Sequence, residues 1–321
     1  MEPYINQIHY ILKQKNPMSP INSNISFVIP AFNCSETIKE SVESIIDGNF
    51  SDGDEIIIIN DASTDETGKV LAELKLRHPF LTILKNQQNK GCPATRNIGI
   101  KEASRALIFN LDSDNILAPG SIEKLKNYFK DKKADIAAFC EYHYFQKDIL
   151  KVSHKWICKP GILTLADFLS GPINPGPGGN FLYTKAVWEM VGGYWEYGKG
   201  LHEAWGFSLK LLANGAKFVV MPDSHYYHRY GHESLFIRES KAKYESSLMA
   251  TKMLMNYINL IDDEDAAYIR SEEGSKRWFN EFSNHPIRLK SGEKGINGRQ
   301  LKAASNKNLI SRLKSIVKPN K

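Results

Sequence analysis

The segment Glu55-Ile56-Ile57-Ile58-Ile59 has no polar face. A strand wetted on one side alternates apolar and polar residues. A run apolar at every position belongs to a strand covered on both sides, as parallel strands are in an α/β sheet. Similar runs recur at 25–29, 81–84 and 107–111, and segments with helical spacing separate them at 36–46, 67–77 and 93–103. This alternation predicts a doubly wound, mostly parallel sheet with helices on both faces. A further helix is expected at 121–129 and a strand at 136–139. Residues 171–179 read as loop, being Gly, Pro and Asn with a single Ile. Helices are expected at 184–190, 204–213 and 235–260, a strand at 217–221, a charged helical segment at 262–290, and a short amphipathic helix at 4–12. The chain divides into a lead-in (1–23), an α/β domain (24–235), a helical extension (236–290) and a basic tail (291–321).

Charge excludes one class of partner. The 321 residues carry a net charge of +6, but no acidic residue follows Glu293, and the tail beyond it holds eight Lys and Arg. Subtracting them leaves 6 − 8 = −2 for the rest, so the main domain lacks the basic surface of a nucleic-acid binder. Within the tail, Leu309, Ile310, Leu313, Ile316 and Val317 lie at helical spacing among basic residues. That pattern suits either a peripheral contact with an anionic membrane or a solvated tail. No apolar run approaches the roughly 18 residues of a membrane span, and Met1-Glu2-Pro3-Tyr4 does not start a secretory signal. A cytoplasmic protein, at most peripheral at the inner face of the plasma membrane, is expected. Cys34, Cys92, Cys140 and Cys158 match no zinc spacing and read as reduced packing residues.

Polar motifs close the strands. Asp112-Ser113-Asp114 follows the run ending at Leu111. Two carboxylates one residue apart at a strand end converge on the crevice beyond the carboxyl ends of the sheet. Such hard oxygen donors suit Mg²⁺ or Mn²⁺ and, through the metal, a diphosphate; they are also ordinary turn chemistry. In Phe27-Val28-Ile29-Pro30-Ala31-Phe32-Asn33, Pro30 is expected to end ladder pairing. In Asn60-Asp61-Ala62-Ser63-Thr64-Asp65, a carboxylate is placed either to accept the imide N–H of a pyrimidine or to cap the next helix. Pro93 fits the first turn of a helix. Arg96, a turn further in, either reaches a base or phosphate or pairs with a crevice aspartate.

In this order, and at these strand ends, the motifs closely resemble the inverting glycosyltransferases of family 2 over residues 24–235. The resemblance implies a GT-A fold, a Rossmann-like sheet flanked by helices. It also implies transfer of a sugar from a nucleotide diphosphate sugar, here expected to be a UDP-sugar. The acceptor would be a saccharide or lipid-linked molecule in bacterial surface polysaccharide or glycoconjugate synthesis, with Mn²⁺ or Mg²⁺ as cofactor. It assigns Pro30, Ala31, Asp61 and Arg96 to the nucleoside pocket, Asn33 and Ser113 to nucleotide-sugar binding, Asp112 to the ribose or the metal, and Asp114 to the metal. His228, best matched of His225, His228 and His232, would complete the metal shell. Gly179 and Asn180 fall in the acceptor-side loop that approaches the sugar diphosphate. Trp205 is either a sugar-stacking or a core tryptophan.

Two positions depart from the family. Asn60 stands where a second Asp is frequent. More importantly, Ala204 stands where the family carries its base aspartate, within Leu201-His202-Glu203-Ala204-Trp205. Glu203, with His202 beside it, is the candidate base; Glu203 at a helix start is equally a group that accepts helix N–H donors. An alternative is a protein that binds a nucleotide sugar but is a catalytically weak partner in a glycan assembly complex.

Overall fold

A computed structural model describes residues 24–170, 179–197, 202–231, 243–281 and 286–295. The expected helix at 4–12, the loop at 171–178, His232 and the tail segment 309–317 lie outside these residues. The elements in chain order are β1 (Ile25–Ala31), α1 (Ile38–Ile46), β2 (Glu55–Asn60), α2 (Thr67–Arg77), β3 (Thr82–Lys85), α3 (Cys92–Glu102), β4 (Leu107–Asn110), β5 (Ile116–Leu117), α4 (Ser121–Asp131) and β6 (Ile136–Phe145). They continue as β7 (His154–Ile157), β8 (Gly161–Leu163), α5 (Leu165–Phe168), β9 (Phe181–Thr184), α6 (Lys185–Met190), α7 (Glu203–Ala213) and β10 (Phe218–Arg229). From residue 243 the elements are α8 (Lys243–Leu254), a 3₁₀ turn (Met255–Leu260), α9 (Asp263–Arg270) and α10 (Glu272–Glu281).

One sheet runs β3-β2-β1-β4-β9-β6-β10-β5, with β7 on β6 and β8 on β10. The pairs β3/β2, β2/β1, β1/β4 and β6/β10 are parallel. Strand β9 runs antiparallel to both β4 and β6 and joins the parallel first half to the mixed second half. Ile56, Ile57, Ile58 and Ile59 are buried, as a strand covered on both faces requires. Helix α3 lies so close over this strand that a Cβ on Gly99 would sit 2.5 Å from Ile59 Cδ1 and 2.6 Å from Val28 Cγ1.

Two expectations about strand ends are corrected. Pro30 does not end β1: it pairs with Ile59, and Ala31 pairs with Asn60. The carbonyls of Val28 and Ala31 accept from Leu111 N and Asp61 N respectively, so alternate residues serve opposite neighbours. Pro30 therefore faces the β4 side, beyond the point where that ladder stops at Val28–Asn110, and its missing N–H costs nothing there. Strand β10 does not stop at residue 221 either. Pro222 and Asp223, which read as a stop, sit in an irregularity between Met221 and His225, with Asp223 at φ 52°, and the strand resumes to Arg229. His225 and His228 thus lie within a strand rather than in the loop after it. The long helix expected at 235–260 is α8 plus the 3₁₀ turn over its described part, and 262–290 resolves into α9 and α10.

The C-terminal helices close over the start of α7. A Cβ on Gly206 would meet Met253 Sδ at 2.6 Å, and the Trp205 ring packs 5.3 Å from Phe279 and 5.6 Å from Phe168.

Candidate active site

The C-terminal ends of β1, β2 and β4 and the N-terminus of α7 meet at one edge of the sheet. Ala31 is buried there, and its carbonyl holds Asp61 N at 2.8 Å. Asn33 is exposed, with φ 47°; its Oδ1 accepts Thr64 N at 2.8 Å and its own N–H reaches Ser63 Oγ at 3.1 Å, so it ties the two strand-end loops together. Of the acids near the start of α2, Asp65 receives the helix N–H of Thr67.

Asp61 is 2% exposed and accepts three hydrogen bonds: Asn86 Nδ2 (2.6 Å) and Lys90 N (2.9 Å) on Oδ1, and Gly91 N (2.9 Å) on Oδ2. A carboxylate offers about four lone-pair sites, so most of its capacity goes to pinning the 86–91 loop. Gly91 leads into α3 at φ 84°, a conformation that suits glycine. A cavity of ≈ 560 Å³ lined by Lys85, Asn86, Gln87, Gln88 and Lys90 opens beside this loop.

Arg96 is the centre of the site. It is 1% exposed; Nη2 binds Asp112 Oδ1 at 2.5 Å and Nη1 binds Glu203 Oε1 at 2.9 Å. Its guanidinium carbon lies 5.4 Å from the Tyr194 ring centre. A Cβ on Gly179 would stand 3.3 Å from Nη2 and 3.5 Å from Ala204 Cβ, so Gly179 and Ala204 border the same cluster. Asp112 is well occupied: besides Arg96 it receives Asn115 Nδ2 and Asn180 Nδ2, each at 3.1 Å, while its own N–H reaches Asn180 Oδ1 at 2.8 Å. The pairing of Arg96 with a crevice aspartate, one of the two roles read from sequence, is thus the geometry observed. Burial raises the Glu203 carboxyl above the ordinary range for glutamate, with Arg96 opposing the shift.

The remaining expected residues are dispersed. Ser113 offers its carbonyl to Thr37 Oγ1 at 2.9 Å, and the Asp114 carbonyl accepts from Arg229 Nε at 3.1 Å. Arg229 also pairs with Glu40. His202, the residue before α7, adopts φ 56° and turns to the C-terminal helices, with Nε2 2.5 Å from Ser246 Oγ and its ring 4.5 Å from Phe279. Burial lowers its pKa to about 4. Trp205 is 8% exposed among Phe168, Trp278 and Phe279, the setting of a core tryptophan. The His228 ring lies against Tyr144, at 4.8 Å.

Among the described residues no three His, Cys, Asp or Glu side chains are grouped to hold a metal ion. Asp112, Asp114 and His228 therefore do not form a three-ligand cage. Mg²⁺ is commonly held through one or two carboxylates plus substrate phosphates, and Asp112, with its side chain 27% exposed and three donors on about four lone-pair sites, fits that mode.

Asn97 escaped the sequence reading. Its Oδ1 accepts Trp188 Nε1 (3.1 Å) and Tyr194 N (2.9 Å), and its Nδ2 donates to Tyr194 O and Glu196 Oε1 (2.9 Å each). It thereby locks the Gly193–Tyr194 turn that places Tyr194 under Arg96. Asn110, wholly buried, donates to the Tyr194 and Tyr183 hydroxyls. An asparagine closing an apolar strand and another inside a helix were the available signals, because a buried amide must find partners.

Residues 26–192, just over half of the chain, match glycosyl transferase family 2. The chain belongs to that family. Among its relatives are the chondroitin synthase of Escherichia coli, 34% identical over 118 residues, and the poly(ribitol-phosphate) beta-N-acetylglucosaminyltransferase TarP of Staphylococcus aureus, 34% identical over 115 residues. These alignments cover 37% and 35% of this chain and only 16% and 35% of the two relatives. Family 2 membership agrees with the fold. Staphylococcus aureus TarS in complex with UDP-GlcNAc aligns with a TM-score of 0.58 at 18% identity, covering 73% of this chain and 67% of that one. The mannosyltransferase PcManGT of Pyrobaculum calidifontis, in complex with GDP-Man and Mn²⁺, aligns with a TM-score of 0.55 at 15% identity, covering 86% and 74%. The GT-A architecture expected from sequence is the one observed, with the second half of its sheet mixed. Among the described residues no helix is long and apolar enough to cross a membrane.

Proposed function

We propose that this chain transfers a sugar from a UDP-sugar to a saccharide or lipid-linked acceptor, with inversion, in the synthesis of a bacterial surface glycan. The observation that carries this reading is the Asp112–Arg96–Glu203 cluster: a buried cation holds a strand-end carboxylate and a helix-start carboxylate on the two sides of one crevice. The UDP-GlcNAc complex of TarS supports the choice of UDP, and the names of the relatives support a glycan product.

In the proposed reaction the acceptor hydroxyl attacks the anomeric carbon. Glu203 takes its proton, the new C–O bond forms on the face opposite the diphosphate, and the old bond breaks with its electron pair leaving on UDP. Arg96 holds Glu203 Oε1, and burial raises the basicity of the carboxylate, which suits a base working near neutral pH. Asp112 and Asp114 would hold Mn²⁺ or Mg²⁺, which when bound neutralises the diphosphate charge. Asp61 orders the loop beside the cavity in which the base would lie.

A UDP-sugar panel with Mn²⁺ should raise the melting temperature more than GDP-mannose does, because a ligand that binds only the folded state stabilises it by mass action. Asp114→Ala should lose the metal-dependent part of that shift. No shift with any nucleotide sugar sinks the donor assignment. Ala204 in place of the family's aspartate, and Glu203 held by Arg96, favour one second reading: a donor-binding but catalytically weak subunit. Donor stabilisation without UDP release across an acceptor panel would select it.

A further inference from the structure

From the Asp112 cluster a series of aromatic rings runs outward across β6, β7 and β10. The buried Tyr226 hydroxyl lies beside Asn180, the residue that clasps Asp112. The Tyr226 ring is 4.9 Å from Tyr142, and Tyr142 and Tyr144 are 6.4 Å and 4.8 Å from His228. Tyr144 stacks on His154 at 4.2 Å and 14°, and Tyr230 stands edge-on to both. Trp156 lies directly across the ladder from Tyr142. The series opens as it leaves the crevice: Tyr142 is buried, Tyr144, Trp156, His228 and Tyr230 are half-buried, and His154 is exposed. Strand alternation places Glu141, His143 and Lys155 on the opposite face, where Glu141 pairs with both of the others.

We infer that this face is the platform for the acceptor, and that the acceptor it takes is an uncharged saccharide chain. The inference rests on the transferase reading above and adds the acceptor's chemical class and place. Tyrosine, tryptophan and histidine offer a flat apolar face with a polar edge, which matches the apolar faces and hydroxyl rims of sugar rings. The buried Tyr226 and Tyr142 pack the inner end of this face against Asn180 and Asp112, so the open rings of Tyr144, Trp156, His228 and Tyr230 begin beside the crevice. Among the described residues the platform rings bring no Lys or Arg with them, whereas a phosphate-linked or uronate-rich chain calls for such groups. The Ser153 hydroxyl, 2.8 Å from His154 Nδ1, fixes the outermost ring.

The test uses the full chain, with His154→Ala and Tyr144→Ala as variants; His154 is exposed, so its removal leaves the fold intact. Short neutral oligosaccharides of glucose, galactose and N-acetylglucosamine, and a phosphate-linked ribitol oligomer, are titrated by saturation-transfer NMR. A neutral oligosaccharide should bind, and each variant should weaken it about two- to tenfold, the scale of one aromatic contact. UDP-sugar-induced stabilisation should stay unchanged in both variants. Unaltered oligosaccharide affinity in both variants, binding of the phosphate-linked oligomer alone, or no binding of any neutral member each overturns the platform. Absence of UDP-sugar stabilisation in the wild type instead overturns the donor reading, and the two failures are told apart.

Discussion

Glu203→Gln separates catalysis from scaffolding at the residue on which the proposed mechanism depends. The substitution keeps an oxygen that accepts from Arg96 Nη1, now at 2.9 Å, and it keeps the volume. It removes the charge and the ability to take a proton. A positioned general base contributes roughly 10²–10⁴-fold in rate, or about 2.7–5.4 kcal/mol of barrier at 1.36 kcal/mol per tenfold. The stability cost should be small, because Arg96 retains its bond to Asp112 and the penalty of burying the Glu203 charge disappears with the charge. Exchanging a charged for a neutral hydrogen bond puts the net change within about 1.5 kcal/mol. Turnover is measured as UDP release with a working acceptor, and stability as the urea midpoint at constant slope. The wild type should also lose kcat/KM as pH falls through the Glu203 pKa, which burial lifts above that of an ordinary glutamate, and the variant should lack that limb. A loss of less than tenfold in kcat with intact stability would refute the reasoning. Glu203 would then be a clamp for Arg96, and the proton would go elsewhere.

Gly99→Ala should destabilise by up to about 2 kcal/mol in urea titration: overpacking against Ile59 and Val28 costs about 1–3 kcal/mol, offset by about 1 kcal/mol from the better helix propensity of alanine. Asn97→Ala strands the Trp188 Nε1 and Tyr194 backbone groups that it now satisfies, and should cost about 3 kcal/mol at roughly 1–3 kcal/mol per buried unpaired group; a cost below about 1 kcal/mol would mean that water replaces the amide. His202 stays neutral in the fold down to about pH 4, against an ordinary value of 6.5. Its contribution is therefore complete above pH 6.5 and drains away as pH falls towards 4, by up to about 3 kcal/mol at 1.36 kcal/mol per unit. His202→Asn, whose side chain tolerates the left-handed backbone, should flatten the melting-temperature profile across that window.

The legible part of this molecule was the part in which one local rule decides. Four isoleucines in a row have nowhere to go but the middle of a covered sheet, and a proline two residues after Gly91 sits in the first turn of a helix; β2 and α3 follow directly. Strand β10 was cut short because Pro222 and Asp223 carry a strong local stop signal. The cross-strand pairing of Tyr226 with Tyr142 and of His228 with Tyr144 overrides it, and those partners lie more than eighty residues away in the chain. The same difference runs through the site. The sequence offered a pairing of Arg96 with a crevice aspartate as one of two roles, yet it did not show how the strand-end residues share their hydrogen bonds. Asp61 and Asp112 read as open carboxylates because a sequence shows an acid but not its donors; folded, each accepts three hydrogen bonds from the protein. Within the fold they order the 86–91 loop, Arg96 and Asn180. Arg96 bonds Asp112 and Glu203 at once. One guanidinium thus positions both carboxylates, which is why substitutions at Arg96 cannot be read as simple losses of nucleotide contact.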